Sequence, residues 1–322
     1  RLVSQSSESD INSIQSIADI KAEKNPFSLL NASQMTDGLV IEVAQGKKIE
    51  KPVHIILSNT KTTDNQLTHP RVILKLNEDS AADVVLSIGN QEGVNLNNTV
   101  LDIQVEANSS LNYISTNPEG IDGYRFETSR ITCKEKAQVE LYYISKGSSL
   151  TKFDSKITFL GENAHCNLNG FSLLAEENHL YSDTSAHHTV PNCESNQIFK
   201  NILTGQAKSE FITLVKIYKH AQQNYTNQTN NNLLLSNQAR SLSRPQLEID
   251  ADDVKCNHGA TMGQLDEEQI NYLMCRGLSR ETARYVLTRG FIEEIINTIP
   301  VTFVREFFLD NADKDLNTVL QK

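Results

Sequence analysis

Residues 244–263 read RPQLEIDADDVKCNHGATMG, and their strand pattern gives way to a helix pattern directly after Gly263. Leu247 and Ile249 alternate with acidic residues, which is the two-residue period of a half-buried strand. Val254 continues the strand pattern, and Asp266 has the side chain of a helix N-cap. The stretch therefore predicts the end of a β-rich core and the start of a helical segment.

Cys256 and His258 lie two residues apart in this stretch, so an extended backbone places both side chains on one face. Thiolate and imidazole are both ligands for iron and other soft metals. The same spacing also occurs where a buried Cys lies beside a His that hydrogen-bonds to a carboxylate. The pair is a candidate metal or cluster site, and the spacing alone leaves both interpretations open.

Short apolar segments precede this stretch from residue 39 onward, and they are rich in β-branched and aromatic residues. A polar turn followed by a small residue and a new strand recurs in steps of about 28 residues. The turns are residues 77–80, 106–109, 134–137 and 161–164. This recurrence fits the coils of a β-solenoid, and it also fits paired hairpins in a β-sandwich.

After Gly263 the apolar period changes to that of helices. Asp266 and Ser279 are predicted N-caps, Pro300 ends the second helix, and a third helix carries Phe303. The apolar stripes of these helices are wider than three short helices need for packing against one another, so we expect them to dock to the solenoid or to a partner. The candidate docking residues for a partner are Ile292, Ile295, Ile296 and Ile299.

Composition excludes several classes of protein. The chain has 322 residues and a net charge of −10, which argues against nucleic acid as a main partner. No apolar run is long enough to span a membrane, and no signal peptide is visible. Five scattered Cys without a C-x-x-C motif indicate reduced thiols and a cytoplasmic protein. No phosphate-binding loop or nucleophile elbow is present, which favours a scaffold over an enzyme.

Residues 178–199 contain His179, His187, His188 and Cys193 without the usual spacing of zinc ligands. We interpret this stretch as a solvated loop between coils. Residues 222–232 are rich in Asn and Gln, and they read either as disorder or as amide side chains stacked on successive coils.

The chain resembles the SufB/SufD family of iron–sulfur cluster assembly proteins, and in particular its SufD branch, because Gly259 stands where SufB proteins tend to carry Glu. The residues that carry the resemblance are Arg244, Pro245, Leu247, Ile249, Asp253, Val254, Lys255, Cys256, His258, Gly259, Ala260, Thr261, Gly263 and Leu265. Residues 232–236, Ala239, Tyr272, Leu273, Arg276, Gly277 and Ala283 extend it.

The resemblance implies a right-handed parallel β-helix that pairs with a SufB-like subunit through the ends of their β-helices. It implies a SufC-like ABC ATPase docked through the C-terminal helices, and sulfur-donor proteins as indirect partners. A nascent iron–sulfur cluster would form at the SufB–SufD interface, with His258 as a ligand and Cys256 as the weaker candidate. A homodimer in isolation and a reduced flavin in the complex are further implications.

We therefore predict a mainly β protein in three parts. Residues 1–38 form a polar segment with a helix between residues 10 and 21, residues 39–263 form the β-helix, and residues 264–322 form a helical module. Because the chain begins with Arg1 rather than Met, we expect it to be truncated at its start.

Two other functions remain open. One is a carbohydrate-active β-helix enzyme, which needs a groove of carboxylates and basic residues on consecutive coils. The other is an inert structural solenoid in which Cys256 and His258 are buried. A helix-turn-helix DNA reader is disfavoured by the Glu293–Glu294 pair and the acidic tail.

Overall fold

The computed structural model describes residues 24–35, 38–58, 66–89, 94–117 and 121–320, and it is a parallel β-solenoid of about seven turns. Every pairing between its named strands is parallel. The mainly β solenoid is therefore confirmed. The sandwich alternative is wrong, since hairpins would pair their strands antiparallel.

The strands form two sheets, and each coil contributes one strand to each sheet. Sheet A contains, in spatial order, β1 (Gly38–Val43), β4 (Arg71–Leu76), β6 (Asn95–Val105), β8 (Ile121–Cys133), β10 (Ser148–Phe159), β12 (His179–His188), β14 (Lys208–Ile217) and β16 (Arg240–Ile249), with β3 (Leu67–Thr68) beside β6. Sheet B contains β2 (Val53–Leu57), β5 (Ala81–Ile88), β7 (Ser110–Asn117), β9 (Gln138–Ser145), β11 (His165–Leu174), β13 (Glu194–Leu203), β15 (Asn224–Leu234) and β17 (Val254–Gly263).

Polar turns at six passages from sheet A to sheet B hold one residue in the left-handed region of backbone conformation. These residues are Asp79, Asn108, Lys136, Asn163, Asn192 and Gln223, with φ between 55° and 61°. Successive turns are joined by backbone hydrogen bonds, such as the one that Asn108 N donates to the carbonyl oxygen of Glu135 at 2.9 Å. The recurring turns of the sequence are these passages, and the small residue after each turn is buried because it points into the narrow corner.

The interior of the solenoid is apolar in its first coils and polar in its last. Thr213 Oγ1 donates to Gln197 Oε1 at 3.0 Å, and Gln228 Nε2 donates to Thr213 Oγ1 at 2.9 Å. In the same region Asn201 Nδ2 donates to Asn232 Oδ1 at 2.9 Å. Residues 222–232 are thus an ordered part of the solenoid, where amide side chains of successive coils hydrogen-bond to one another.

The described residues contain four helices, which are α1 (Pro26–Gln34), α2 (Glu267–Cys275), α3 (Arg280–Ile296) and α4 (Thr302–Leu320). Asp266 and Ser279 cap α2 and α3 as expected, since their side chains accept hydrogen bonds from backbone N–H groups of the first turn. The helix predicted between residues 10 and 21 lies outside the described residues. None of the helices in the described ranges is long and apolar enough to cross a membrane.

The helical module consists of α2 to α4, and its helices α3 and α4 lie against the outer face of sheet B. Its apolar stripe contacts Tyr142, Phe171 and Ile202, among other residues of that face. The four isoleucines proposed for partner docking are Ile292, Ile295, Ile296 and Ile299, and they are 3%, 5%, 2% and 1% exposed. They pack on the solenoid, so a partner has no access to them while the module is seated.

The loop expected at residues 178–199 is wrong, because this stretch forms strands β12 and β13. The inward positions of β12 carry small residues such as Ser182 and Ala186, and these do not produce an apolar alternation. His179 and His187 lie on the outer face, His188 points inward, and Cys193 is buried in the following turn. The strand pairing along the coil therefore separates these four residues.

Candidate functional site at the open end of the solenoid

The last coil of the solenoid consists of β16 and β17, and within the described part of the chain each of these strands is paired on one side only. β16 pairs with β14, and β17 pairs with β15. Half of the backbone N–H and C=O groups of each strand therefore point away from the sheet without a partner strand. This coil therefore presents an edge to which further strands can be added, and it leaves this end of the solenoid interior open.

Cys256 and His258 lie on the inward face of β17. Their register partners are Thr226 and Gln228, whose side chains are buried inside the preceding coil. Because none of the described strands forms a further coil over β17, His258 is exposed and Cys256 is half-buried. The structure thus places the two predicted ligands on one face, at the position where strands give way to helices.

This chain offers two neighbouring candidate ligands at that place, and a closed metal site needs more. Among the described residues, no group of three or more His, Cys, Asp or Glu is arranged to hold a metal ion. Structural sites for zinc use four protein ligands, and clusters are held by several thiolates. A metal or cluster bound here requires further ligands from a second molecule or from sulfide.

Met262 shares the inward face of β17 with Cys256 and His258, and its side chain is 46% exposed. On the other strand of the last coil, Ser241 and Ser243 of β16 point inward, and their hydroxyl groups have no hydrogen-bond partner among the described residues. Sequence reasoning missed all three, although the two-residue period of the strands would have placed them on this face.

His188 has a structural environment that sequence reasoning did not anticipate. Its Nδ1 lies 2.9 Å from Asn224 Oδ1, its Nε2 lies 2.8 Å from Ser195 Oγ, and its ring stacks on Phe159. Burial lowers the pKa of His188 to about 4, so the imidazole is neutral at neutral pH. Although Ser, His and Asn form the geometry of a hydrolytic triad, Ser195 is 1% exposed and no substrate can reach it.

A polar cleft of about 370 Å³ lies on the outer face of sheet A beside α1, and its wall carries both carboxylate and basic side chains, as a carbohydrate-binding groove would. Asp154 and Asp183 are register partners in this cleft. Exclusion of water and the charge of Asp154 raise the pKa of Asp183. Asp154 already pairs with Lys152 and accepts a hydrogen bond from Asn25 Nδ2 at 2.6 Å, so it is not free to act as a base.

The outer surface of the helical module carries large exposed apolar side chains. Tyr272 and Met274 of α2 are 59% and 40% exposed, and Val286 of α3 is 42% exposed. These side chains do not take part in the packing against sheet B. They are large apolar residues of α2 and α3 that a partner protein can reach.

Comparison with known proteins assigns this sequence to a family. The family model described as SUF system FeS cluster assembly, SufBD core domain, matches residues 58–291. A SufBD family iron–sulfur cluster assembly protein of Synechocystis is 28% identical over 288 residues, which cover 85% of this chain and 63% of the relative.

Two further relatives belong to the two branches of this family. The iron–sulfur cluster assembly protein SufD of Escherichia coli is 28% identical over 262 residues, with 80% of this chain and 62% of the relative covered. The corresponding SufB of Bacillus subtilis is 26% identical over 286 residues, with 88% and 61% covered. The chain therefore spans a little over three fifths of the length of these relatives. Since the family model covers more than half of the chain, the chain belongs to the SufBD core family of the SUF system for iron–sulfur cluster assembly.

Proposed function

We propose that this chain is a non-catalytic scaffold subunit of the SufD branch. In this proposal its last coil pairs with a SufB-like subunit, and a nascent iron–sulfur cluster is assembled between them as the cargo of the complex. The observation that carries the proposal is the exposed inward face of β17, which presents Cys256 and His258 at the open end of a solenoid of this family.

The edge of the last coil supports the pairing. A partner that ends in a similar coil can add its strands to β16 and β17 and satisfy their unpaired backbone groups. Such an addition would bring the partner's side chains over the inward face of β17. Ligands from both subunits would then complete the coordination that this chain alone does not supply. Two copies of this chain can meet in the same way, which supports a homodimer in isolation.

The helical module supports the docking of a SufC-like ABC ATPase. The buried isoleucines hold the module on sheet B, and the exposed Tyr272, Met274 and Val286 offer an apolar surface outside that contact. We place the docking on these three residues. Energy from ATP would then act on a module that is joined to the solenoid by an extensive apolar contact. Sulfur-donor proteins would act on the complex and not on this chain directly.

A reduced flavin in the complex finds no support in an apolar cleft of the described surface. That cleft has a volume of about 540 Å³ and lies between α4 and sheet B, with Phe303, Phe307 and Ile56 in its wall. Its lining contains no Lys or Arg, and the phosphate groups of a flavin nucleotide need cations or N–H donors. The residues of this cleft therefore do not fit the cofactor.

The cluster role is tested by expressing the complete SUF complex with His258→Ala, His258→Cys or His179→Ala in this chain. His179 is an imidazole on the outer face of sheet A that pairs with Glu210, so it serves as the matched control. We expect His258→Ala to lower bound iron and sulfide steeply while the subunits still co-purify. His258→Cys should retain part of the cluster, because a thiolate also binds iron. Wild-type cluster in an intact His258→Ala complex would contradict the ligand role.

The docking role is tested with Tyr272→Asp combined with Val286→Asp. A charge in an apolar contact costs several kcal/mol unless it is paired, so the ATPase should no longer co-purify. Leu160→Asp is the control, because Leu160 is 46% exposed on the solenoid and lies outside the module. Retention of the ATPase by the double variant would exclude this surface.

A further inference from the structure

A buried ion pair lies inside the solenoid, between the two sheets. Arg125 and Glu127 both point inward from β8, and their residues are 3% and 2% exposed. Arg125 Nη2 lies 2.8 Å from Glu127 Oε2. Burying two charges is costly, and the cost is offset only when the remaining donors and acceptors are also satisfied.

Part of that requirement is met by the protein. Arg125 Nη1 donates to Asn117 Oδ1 at 2.8 Å, and Nη2 donates to Ser115 Oγ at 2.8 Å. Ser115 Oγ in turn donates to Glu127 Oε2 at 2.8 Å. Two atoms of the ion pair remain, because Arg125 Nε and Glu127 Oε1 have no hydrogen-bond partner among the described residues. A buried charged group without a hydrogen-bond partner lowers the free energy of unfolding, and such groups are rare in folded proteins.

A cavity of about 20 Å³ adjoins both side chains. Its wall includes the inward hydroxyl-bearing residues Thr151, Ser172 and Ser182. One water molecule needs a cavity volume of roughly 10–15 Å³ and between two and four polar partners. The cavity is therefore large enough for one or two water molecules, and it has the polar groups that retain them.

We propose that this cavity binds one or two ordered water molecules that complete the hydrogen bonding of the buried ion pair. The water accepts a hydrogen bond from Arg125 Nε and donates one to Glu127 Oε1. The site favours a neutral ligand that is both donor and acceptor. Glu127 repels an anion and Arg125 repels a cation, whereas an apolar guest would satisfy neither atom. The internal ion pair is thereby a hydrated site within an otherwise closed core.

The proposal is tested by counting long-lived internal waters through the magnetic relaxation dispersion of oxygen-17 water in solutions of the whole chain. Ser182→Val replaces a hydroxyl group in the wall with two methyl groups, which occupy the cavity without offering a polar atom. Ser209→Val is the matched control, because Ser209 is also inward and 2% exposed but lies outside the cavity. Circular dichroism establishes that each variant is folded.

We expect the wild-type chain to show one or two more long-lived waters than Ser182→Val, and the Ser209→Val variant to keep the wild-type number. An unchanged count in folded Ser182→Val would overturn the proposal. If that variant does not fold, a high-resolution crystal structure of the wild-type chain decides. Solvent density within hydrogen-bond distance of both Arg125 Nε and Glu127 Oε1 supports the site, and a dry cavity there refutes it.

Discussion

Tyr142 on β9 donates a hydrogen bond from its hydroxyl group to the carbonyl oxygen of Thr298 at 2.7 Å, across 156 residues of sequence. This bond joins the solenoid to the helical module. It lies beside the apolar contact made by the isoleucines of α3. Burial raises the pKa of Tyr142 to about 12, so the hydroxyl group keeps its proton and remains a donor.

The first prediction concerns the contact between the helical module and sheet B. Ile296→Ala should lower the free energy of unfolding by about 2–5 kcal/mol, because it opens a cavity in the contact with sheet B. Tyr142→Phe should lower it by about 1 kcal/mol through the loss of one hydrogen bond. Urea denaturation measures both changes. Val286→Ala, at an exposed position of the same helix, should stay within about 0.5 kcal/mol of the wild type. A cost for Val286→Ala as large as that for Ile296→Ala would contradict the observed packing.

The second prediction concerns pH. The folded pKa of His188 is about 4, below the value of about 6.5 for an unfolded chain. Between these values the unfolded state binds a proton and the folded state does not, so stability falls as the pH falls from about 6.5 to about 4. The full loss is about 3 kcal/mol.

The variant His188→Gln removes this titration. The difference in unfolding free energy between wild type and variant should shrink as the pH is lowered from 7 to 4.5. Taking the difference removes the contribution of other groups, including Glu140, whose pKa is raised by burial and whose effect has the opposite sign. Two parallel pH profiles would show that His188 does not titrate in this way.

The third prediction compares a buried carboxylate that pairs with two arginines and an exposed ion pair, both on the outer face of sheet A. Asp102 is 1% exposed and pairs with Arg71 and Arg130 at 2.8 and 2.5 Å. Asp102→Ala removes the counter-charge that Asp102 supplies to the buried guanidinium group of Arg71, and it should cost about 3–5 kcal/mol. The exposed pair of Lys216 and Glu248, at 2.8 Å, is the control, and Glu248→Ala should cost less than about 1 kcal/mol. Equal effects on the urea midpoint would contradict the difference in burial.

The fourth prediction compares two glycines in strands of sheet B. A Cβ atom on Gly170 would lie 2.3 Å from the buried ring of Phe199, so Gly170→Ala should destabilise the chain by about 1–3 kcal/mol. A Cβ atom on Gly259 meets no atom within 4 Å. Gly259→Ala should therefore be neutral or stabilise by up to about 1 kcal/mol, since Gly in a strand carries an entropic cost. Thermal unfolding of both variants tests the ranking, and the reverse order would contradict it.

The Gly259 result bears on the branch of the family. Because nothing near Gly259 excludes a side chain, the absence of Glu at this position is not imposed by the fold. The variant Gly259→Glu should fold normally. A difference in cluster assembly between this variant and the wild type would then reflect the chemistry of the proposed interface and not the packing.

Local features of the chain could be predicted from the sequence because they depend on neighbouring residues. The left-handed turns at Asn108 and Asn163 need a polar residue that tolerates positive φ, followed by a small one, and this demand recurs with every coil. The common face of Cys256 and His258 follows from the pleat of any strand. The helix caps Asp266 and Ser279 were recognised from their side chains alone.

The tertiary structure decided what the sequence left open, because burial depends on which surfaces meet. The periodicity of α3 marked Ile292 and Ile296 as apolar, yet only the seating of the module on sheet B shows that they face the solenoid and not a partner. The inward position of His188, and the hydrated cavity proposed beside Arg125, depend on coils that stack side chains from distant parts of the chain. Likewise, His258 is exposed for a tertiary reason: its strand is the last of sheet B, so the face that every earlier coil buries is open to solvent.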